Sequence, residues 1–180
     1  MKYCAPHIRT AVNHVIRAET VREMKKKIED SGVQYDAIAV CGVSGISVGS
    51  ILSYLLGKPM LIVRKKDDKC HSSFRVEMNI QFHSRELVNY IIVDDLMDSG
   101  STVDYIYKTI KNSENKRRKT YFNWGDYTKY NFALKGIFLY EQDVDSSDYP
   151  TIKSKKERWP ALKNVPLKDV VLSGYTNYSF

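Results

Sequence analysis

The amino-acid sequence predicts a single α/β domain built on a parallel sheet. Short apolar runs alternate with segments whose apolar residues recur at helical spacing, and glycine or proline separates many of them. The 180 residues, 43% hydrophobic and 27% charged, suffice for one hydrophobic core, and no repeat or long linker divides them. We therefore expect right-handed helical crossovers between parallel strands, with ligands bound at the carboxyl ends of those strands.

The N-terminal part, residues 7–31, has apolar side chains at helical spacing. It predicts one helix, or two if Thr20 and Glu23 cap a second, and Gly32 ends it. Residues 36–41 then form an apolar run that predicts the first strand of the core.

Glycine-containing segments separate the elements that follow. A turn at Gly42 leads to a helix over 46–56, which the segment 57–59 ends. The remaining predictions are strands over 60–63, 90–93, 136–140 and 169–172, a basic loop over 65–73 and a helix over 102–111. The core then covers about 33–142, with a variable tail over about 143–180.

Charge and cysteine content exclude several classes of protein. A net charge of +7 favours polyanionic partners, such as nucleic acid, a membrane surface or a phosphorylated metabolite, without choosing among them. No apolar run approaches the roughly 18 residues of a membrane span, and the N-terminus lacks the apolar region of a signal peptide, so we expect a cytoplasmic protein without membrane contact. Cys4, Cys41 and Cys70 have no metal-ligand spacing, and we expect three reduced thiols, with Cys41 in a core strand.

The segment 91–102 carries the most specific chemistry. A buried strand runs into the carboxylates of Asp94 and Asp95, and a turn of small residues over 98–102 then opens a helix. Gly100 lets a ligand approach the backbone closely, and the successive amides and hydroxyls of the turn suit a phosphate monoester. The two carboxylates can accept hydrogen bonds from vicinal hydroxyls or hold a hydrated divalent cation. A ribose 5-phosphate satisfies both halves.

This segment, Asp94-Asp95-Leu96-Met97-Asp98-Ser99-Gly100-Ser101-Thr102, closely resembles the signature with which type I phosphoribosyltransferases bind 5-phosphoribosyl 1-pyrophosphate (PRPP). The resemblance implies a Rossmann-like core with a variable C-terminal hood. It also implies that Asp94 and Asp95 bind the ribose and Mg²⁺. The residues implied to bind the 5-phosphate are Asp98, Ser99, Gly100, Ser101 and Thr102.

The resemblance extends upstream. The segment 41–45, with Gly49, looks like the pyrophosphate loop of the family, and 71–77 resembles its mobile loop. The residues implied to bind pyrophosphate are Val43, Ser44, Gly45, Arg64 and Lys65. Many relatives carry arginine at the position of Ser44, so we expect anchoring there to be weaker or supplied from elsewhere, such as the region of Arg85.

The resemblance implies a pentosyltransferase that moves the phosphoribosyl group of PRPP to a nucleobase and releases pyrophosphate. Lys65 would neutralise the leaving group, and Asp98 would take a proton from the base, which favours a 6-oxopurine such as hypoxanthine, guanine or xanthine. The alternative for Asp98 is a turn cap without a proton role. Trp159 is the candidate for stacking on the base, or else a packing anchor, and Glu141 stands where the family often has lysine.

Two other functions stay open. One is a regulatory protein that senses PRPP and binds nucleic acid through Lys116, Arg117, Arg118 and Lys119, which lie near Tyr121, Phe122 and Trp124. The other is an enzyme with a pyrimidine or pyridine acceptor. The expected partners are PRPP and a nucleobase, nucleic acid is not favoured, and we expect a homodimer.

Overall fold

A computed structural model of the chain describes residues 13–66, 68, 75–78, 87–113, 118–119, 127–128 and 131–175. Its helices are α1 (His14–Asp30), α2 (Gly42–Leu56), α3 (Ser101–Ser113) and α4 (Ile152–Arg158), with short 3₁₀ helices at Ser146–Asp148 and Pro160–Asn164. Its strands are β1 (Ala37–Cys41), β2 (Met60–Val63), β3 (Val76–Glu77), β4 (Leu87–Asp94), β5 (Arg118–Lys119), β6 (Tyr127–Thr128), β7 (Asn131–Leu139) and β8 (Val171–Gly174).

Six of these strands form one sheet in the order β3-β2-β1-β4-β7-β8. Its pairings are parallel except for the antiparallel pair of β2 with β3. The predicted α/β class and its parallel sheet are confirmed. The strands β5 and β6 pair antiparallel in a separate sheet.

The sheet is covered on both faces. Ile38 and Val40 of β1 join a core with α1 and α2, whereas Ala37 and Ala39 join a second core with α3 and the C-terminal segment. Because β1 is buried on both sides, its sequence is continuously apolar instead of alternating.

The first helix confirms the single-helix alternative of its prediction. From His14 to Asp30 it is one continuous helix, and residues 7–12 lie outside the described part of the chain. Thr20 lies inside this helix and is only 1% exposed, so it does not cap a second one.

The second helix begins earlier than predicted. It starts at Gly42, so the segment predicted as a glycine loop forms its first turn. Gly45 and Gly49 lie against β1, where an added Cβ would contact Val40. These two glycines allow the helix to pack closely on the strand.

The other boundaries follow the same fold with longer elements. β4 begins at Leu87 and β7 at Asn131, both before the predicted starts. Asp169, predicted as the start of the last strand, has a φ of 61° and belongs to the turn before β8. No helix in the described ranges has both the length and the hydropathy of a membrane span.

Candidate functional site

A cavity of about 310 Å³ opens at the carboxyl ends of β1 and β4. β1 leads through α2 to β2 on one side, and β4 leads through α3 to β7 on the other, so the cavity lies where the connections diverge. Such a crevice is the common ligand site of open α/β sheets. Its lining residues are Cys41, Ser44, Lys65, Asp94, Asp95, Leu96, Met97, Asp98, Ser99, Gly100, Ser101, Thr102 and Val103.

The acidic pair Asp94 and Asp95 belongs to this lining. Asp94 is the last residue of β4 and is 3% exposed. Burial, reinforced by the negative charge of Asp95, raises the pKa of Asp94 to about 8, and the positive charge of Lys65 opposes this shift. Each carboxylate accepts one backbone amide: Asp95 N donates to Asp94 Oδ1 over 3.1 Å, and Leu96 N donates to Asp95 Oδ1 over 2.8 Å.

The chemistry of this donor set fits a magnesium ion. Mg²⁺ is usually held by one or two carboxylates together with water and substrate phosphates, instead of a cage made by the protein alone. The described residues contain no cluster of three acidic, histidine or cysteine side chains that could form such a cage. The raised pKa shows that the charged form of Asp94 is disfavoured without a cation, so a divalent ion would relieve the strain between the two carboxylates.

The turn over 98–102 forms one end of the cavity. Gly100 has a φ of 83°, and α3 begins immediately after it. The amides of Asp98, Ser99 and Gly100 donate no hydrogen bond to another residue in the described ranges, whereas Ser101 N donates to Ser99 Oγ. The turn thus offers hydrogen-bond donors beside a helix N-terminus, which suits an anion.

Trp159 requires a correction. Its side chain is completely buried, and its indole Nε1 donates to Met97 O over 2.9 Å. Its ring packs on Tyr149 with centroids 4.8 Å apart. The predicted stacking on a base is therefore wrong for this conformation, and the alternative of a packing anchor describes the residue.

Ser44 and Lys65 also line the cavity. Lys65 follows β2 and Asp94 ends β4, so they come from strands on opposite sides of β1. The Lys65 side chain crosses Gly42: a Cβ added to Gly42 would lie 2.9 Å from Lys65 Cε and 3.3 Å from Nζ. Gly42 has a φ of 70°. Because Gly42 has no side chain, the Lys65 side chain can pass over it and place its ammonium group at the cavity.

The other three residues predicted to bind pyrophosphate do not line the cavity. Arg64 Nε forms an ion pair with Glu77 Oε1 at 2.7 Å, so its charge is engaged. Gly45 is buried against β1, and the Val43 side chain is 71% exposed to solvent. Val43 and Gly45 lie in the first turn of α2, and only their backbone amides have the chemistry to contact an anion.

Three residues to which the sequence analysis gives no supporting role hold the site in place. Gln142 Oε1 accepts a hydrogen bond from Met97 N over 2.7 Å. Tyr140 N and Glu141 N donate to the carbonyls of Asp94 and Asp95, so the chain after β7 holds the acidic segment. These contacts join residues about 45 positions apart, and no local pattern in the sequence signals them.

Several predicted residues lie outside the described part of the chain. They are Cys4, Cys70, residues 71–74 of the predicted mobile loop, Arg85, Lys116, Arg117, Tyr121, Phe122 and Trp124. For Arg118 and Lys119 the structure describes the strand β5 only.

Comparison with known proteins defines the class. No family model matches the chain. Over 103 residues it is 30% identical to an adenine phosphoribosyltransferase of Acetivibrio thermocellus, a match covering 52% of this chain and 60% of the relative. Over 100 residues it is 30% identical to a hypoxanthine/guanine phosphoribosyltransferase of Methanosphaerula palustris, covering 49% and 54%. The matches thus span little more than half the length of these relatives.

The solved structures agree at the level of the fold. An orotate phosphoribosyltransferase of Francisella tularensis superposes with a TM-score of 0.55 at 14% identity, covering 92% of this chain and 69% of that one. The chain is thus similar to phosphoribosyltransferases in sequence over about half of its length, and to one of them in fold. The names of these three proteins carry three kinds of acceptor base.

Proposed function

We propose that the chain is a phosphoribosyltransferase that binds PRPP in the cavity at the ends of β1 and β4 and transfers its phosphoribosyl group to a nucleobase in nucleotide salvage. The observation that carries this proposal is the set of groups that lines one cavity. It contains a turn whose amides at 98–100 donate to no described residue, two carboxylates and a lysine. PRPP presents the matching groups, which are a phosphate, a ribose and a pyrophosphate.

The central carboxylates have two roles. Asp94 and Asp95 accept hydrogen bonds from the ribose hydroxyls, and their negative field favours the cationic character that C1 acquires in the transition state. Asp94 is held in place by its burial and by the backbone contacts from Asp95 and Tyr140. This rigidity keeps the sugar aligned during displacement.

The two ends of the cavity hold the phosphates. The amides of 98–100 and the hydroxyls of Ser99, Ser101 and Thr102 bind the 5-phosphate. Lys65 and the first turn of α2 bind the pyrophosphate and neutralise charge on it as the bond to C1 breaks. Asp94 and Asp95 would hold Mg²⁺, which supplies further charge neutralisation for the leaving group when it is bound.

We propose a 6-oxopurine as the acceptor because of Asp98, whose side chain is exposed and lines the cavity. A ring nitrogen of the base forms the bond to C1, pyrophosphate leaves with the bonding electrons, and the proton on the imidazole ring passes to the Asp98 carboxylate. Relatives are also named for adenine and for orotate, so the acceptor base is proposed separately from the transfer reaction.

The direct experiment incubates the full chain with PRPP, Mg²⁺ and a panel of bases and follows pyrophosphate release and nucleotide formation. We expect release with hypoxanthine, guanine or xanthine. Turnover with adenine, orotate or a pyridine base instead would correct the acceptor. PRPP binding without turnover of any base would favour the sensing function, which salt-dependent binding of nucleic acid would support.

The expected homodimer stays a prediction of its own. Light scattering from the purified chain measures its mass in solution, with twice the chain mass of 20.8 kDa as the expected result.

A further inference from the structure

The segment 158–162, here called the clamp, contacts the turn 97–100 through the carbonyls of the turn. We propose that the clamp orients the amides of this turn toward the cavity, with Trp159 as the positioning residue. The proposal rests on the proposed function only in naming phosphate as the group that these amides bind.

Three consecutive carbonyls of the turn accept hydrogen bonds from the clamp. Met97 O accepts from Trp159 Nε1 at 2.9 Å, and Ser99 O accepts from Ala161 N at 3.1 Å. Between them, Asp98 O accepts a hydrogen bond from Arg158 Nη1 at 3.5 Å, the longest of the three hydrogen bonds. The clamp thus satisfies every carbonyl from Met97 to Ser99.

The amides of the same three peptide groups are those of Asp98, Ser99 and Gly100. In a trans peptide the carbonyl and the amide that follows it point in opposite directions, and the described residues contain no cis peptide bond. Since the clamp holds each carbonyl, each amide is directed away from the clamp. These are the amides that donate to no other described residue.

Packing fixes the clamp against the turn. A Cβ added to Gly100 would lie 2.8 Å from Leu162 Cγ and 3.2 Å from Trp159 Cβ, so the two segments touch without space for a side chain. Trp159 and Leu162 are 0% and 1% exposed. A turn held in this way needs no reorganisation when an anion binds, which is the condition for strong preorganised binding.

The first test compares Trp159→Phe with Ser146→Ala. Phenylalanine keeps an aromatic ring but removes the donor to Met97 O. Ser146→Ala removes two hydrogen bonds, to Leu172 O and from Leu172 N, that involve no cavity residue. We expect Trp159→Phe to raise the KM for PRPP and its Kd by about tenfold with little change in kcat, and Ser146→Ala to change neither. Equal PRPP affinity in wild type and Trp159→Phe would overturn the proposal.

The second test needs no ligand and no activity. In amide NMR spectra of the free protein, Trp159→Phe should shift the Asp98 signal, because Asp98 N shares a peptide group with Met97 O. Arg158→Met, a change at an exposed side chain that we expect to fold, should shift the Ser99 signal instead. If these signals shift in the variants but the wild type does not bind PRPP, the clamp is supported and the proposed function is refuted. Unmoved signals in either folded variant would refute the clamp.

Discussion

The two ends of the cavity are built differently. The turn 98–102, proposed to bind the 5-phosphate and called the 5-phosphate end below, has a main chain held by buried contacts: Trp159 and Leu162 fill the space behind Gly100, and three carbonyls accept hydrogen bonds. The part proposed to bind pyrophosphate, called the pyrophosphate end below, carries its positive charge on Lys65, an exposed residue whose side chain crosses Gly42.

This difference matches what each end must do in the proposed reaction. The 5-phosphate stays bound throughout and benefits from fixed amides whose positions cost nothing to adopt. The pyrophosphate must leave, and an ammonium group on a flexible stem can follow a departing charge. Rigidity at one end and mobility at the other are thus expected of a site that retains one anion and releases the other.

The largest expected effect is that of Asp98→Asn on kcat, which separates proton transfer by Asp98 from PRPP binding by the turn. Asp98→Asn keeps the size of the side chain and the backbone contacts of the turn but removes the proton acceptor. We expect kcat with a 6-oxopurine to fall by ~10²–10⁴-fold while the Kd for PRPP stays within a few fold. Steady-state kinetics and calorimetry measure the two quantities. Equal kcat in both proteins would make Asp98 a turn residue and remove the main reason for a purine acceptor.

The next effect tests the rigidity of the 5-phosphate end. Gly100→Val places a side chain against Leu162 and Trp159 at a positive φ, and we expect a loss of about 3 kcal/mol in the free energy of unfolding. Gly32→Val is the matched control, because Gly32 has a φ of 64° and nothing within 4 Å of its added Cβ. Urea denaturation compares them, and equal losses would show that the close packing behind Gly100 contributes nothing.

A smaller effect tests the pyrophosphate end. Gly42→Ala should displace Lys65 and lower kcat/KM by about tenfold, because the charge no longer reaches the leaving group. Gly57→Ala has the same kind of backbone strain, with a φ of 61°, but meets no atom within 4 Å. The two variants should lose similar stability and differ in activity. Full activity in Gly42→Ala would show that Lys65 has another path to the cavity.

The smallest effect concerns the carboxylates between the two ends. Burial and Asp95 raise the pKa of Asp94 from 3.8 to about 8, so above pH 4 the folded protein holds a proton that the unfolded chain has lost. The free energy of unfolding should therefore fall as pH rises toward 8, by on the order of 1 kcal/mol between pH 7 and pH 8. Urea denaturation without Mg²⁺ checks this, and Asp94→Asn should flatten the dependence. An unchanged slope in that variant would refute the assignment.

The sequence predicted the parts of the site that depend on local order. The run 91–102 contains a strand, its terminal carboxylates and a turn as neighbours in the chain, and residues 94–102 of this run all line the cavity. Strand 60–63 was also predicted at its observed bounds, because a buried parallel strand is a short apolar run with clear flanks.

The parts that local sequence does not reveal depend on contacts between distant segments. Gly45 and Gly49 are typical of a loop by local preference, yet close packing of α2 on Val40 places them in a helix. Trp159 lies 62 residues from the carbonyl to which it donates, so no local pattern signals its contact with the turn. Arg64, next to Lys65, is a predicted pyrophosphate ligand. It forms an ion pair with Glu77 on the neighbouring strand, a contact that no local pattern signals.

The most direct test of the central claim is calorimetric titration of PRPP into the full chain with Mg²⁺, in the wild type and in the double variant Asp94→Asn/Asp95→Asn. Both carboxylates line the cavity, and in the proposed site they bind the ribose and Mg²⁺. We therefore expect the wild type to bind PRPP and the folded double variant to show no binding. Thermal unfolding of the two proteins verifies that the variant is folded. PRPP affinity that is unchanged in the double variant, or absent from the wild type, would contradict the assignment of this cavity to PRPP.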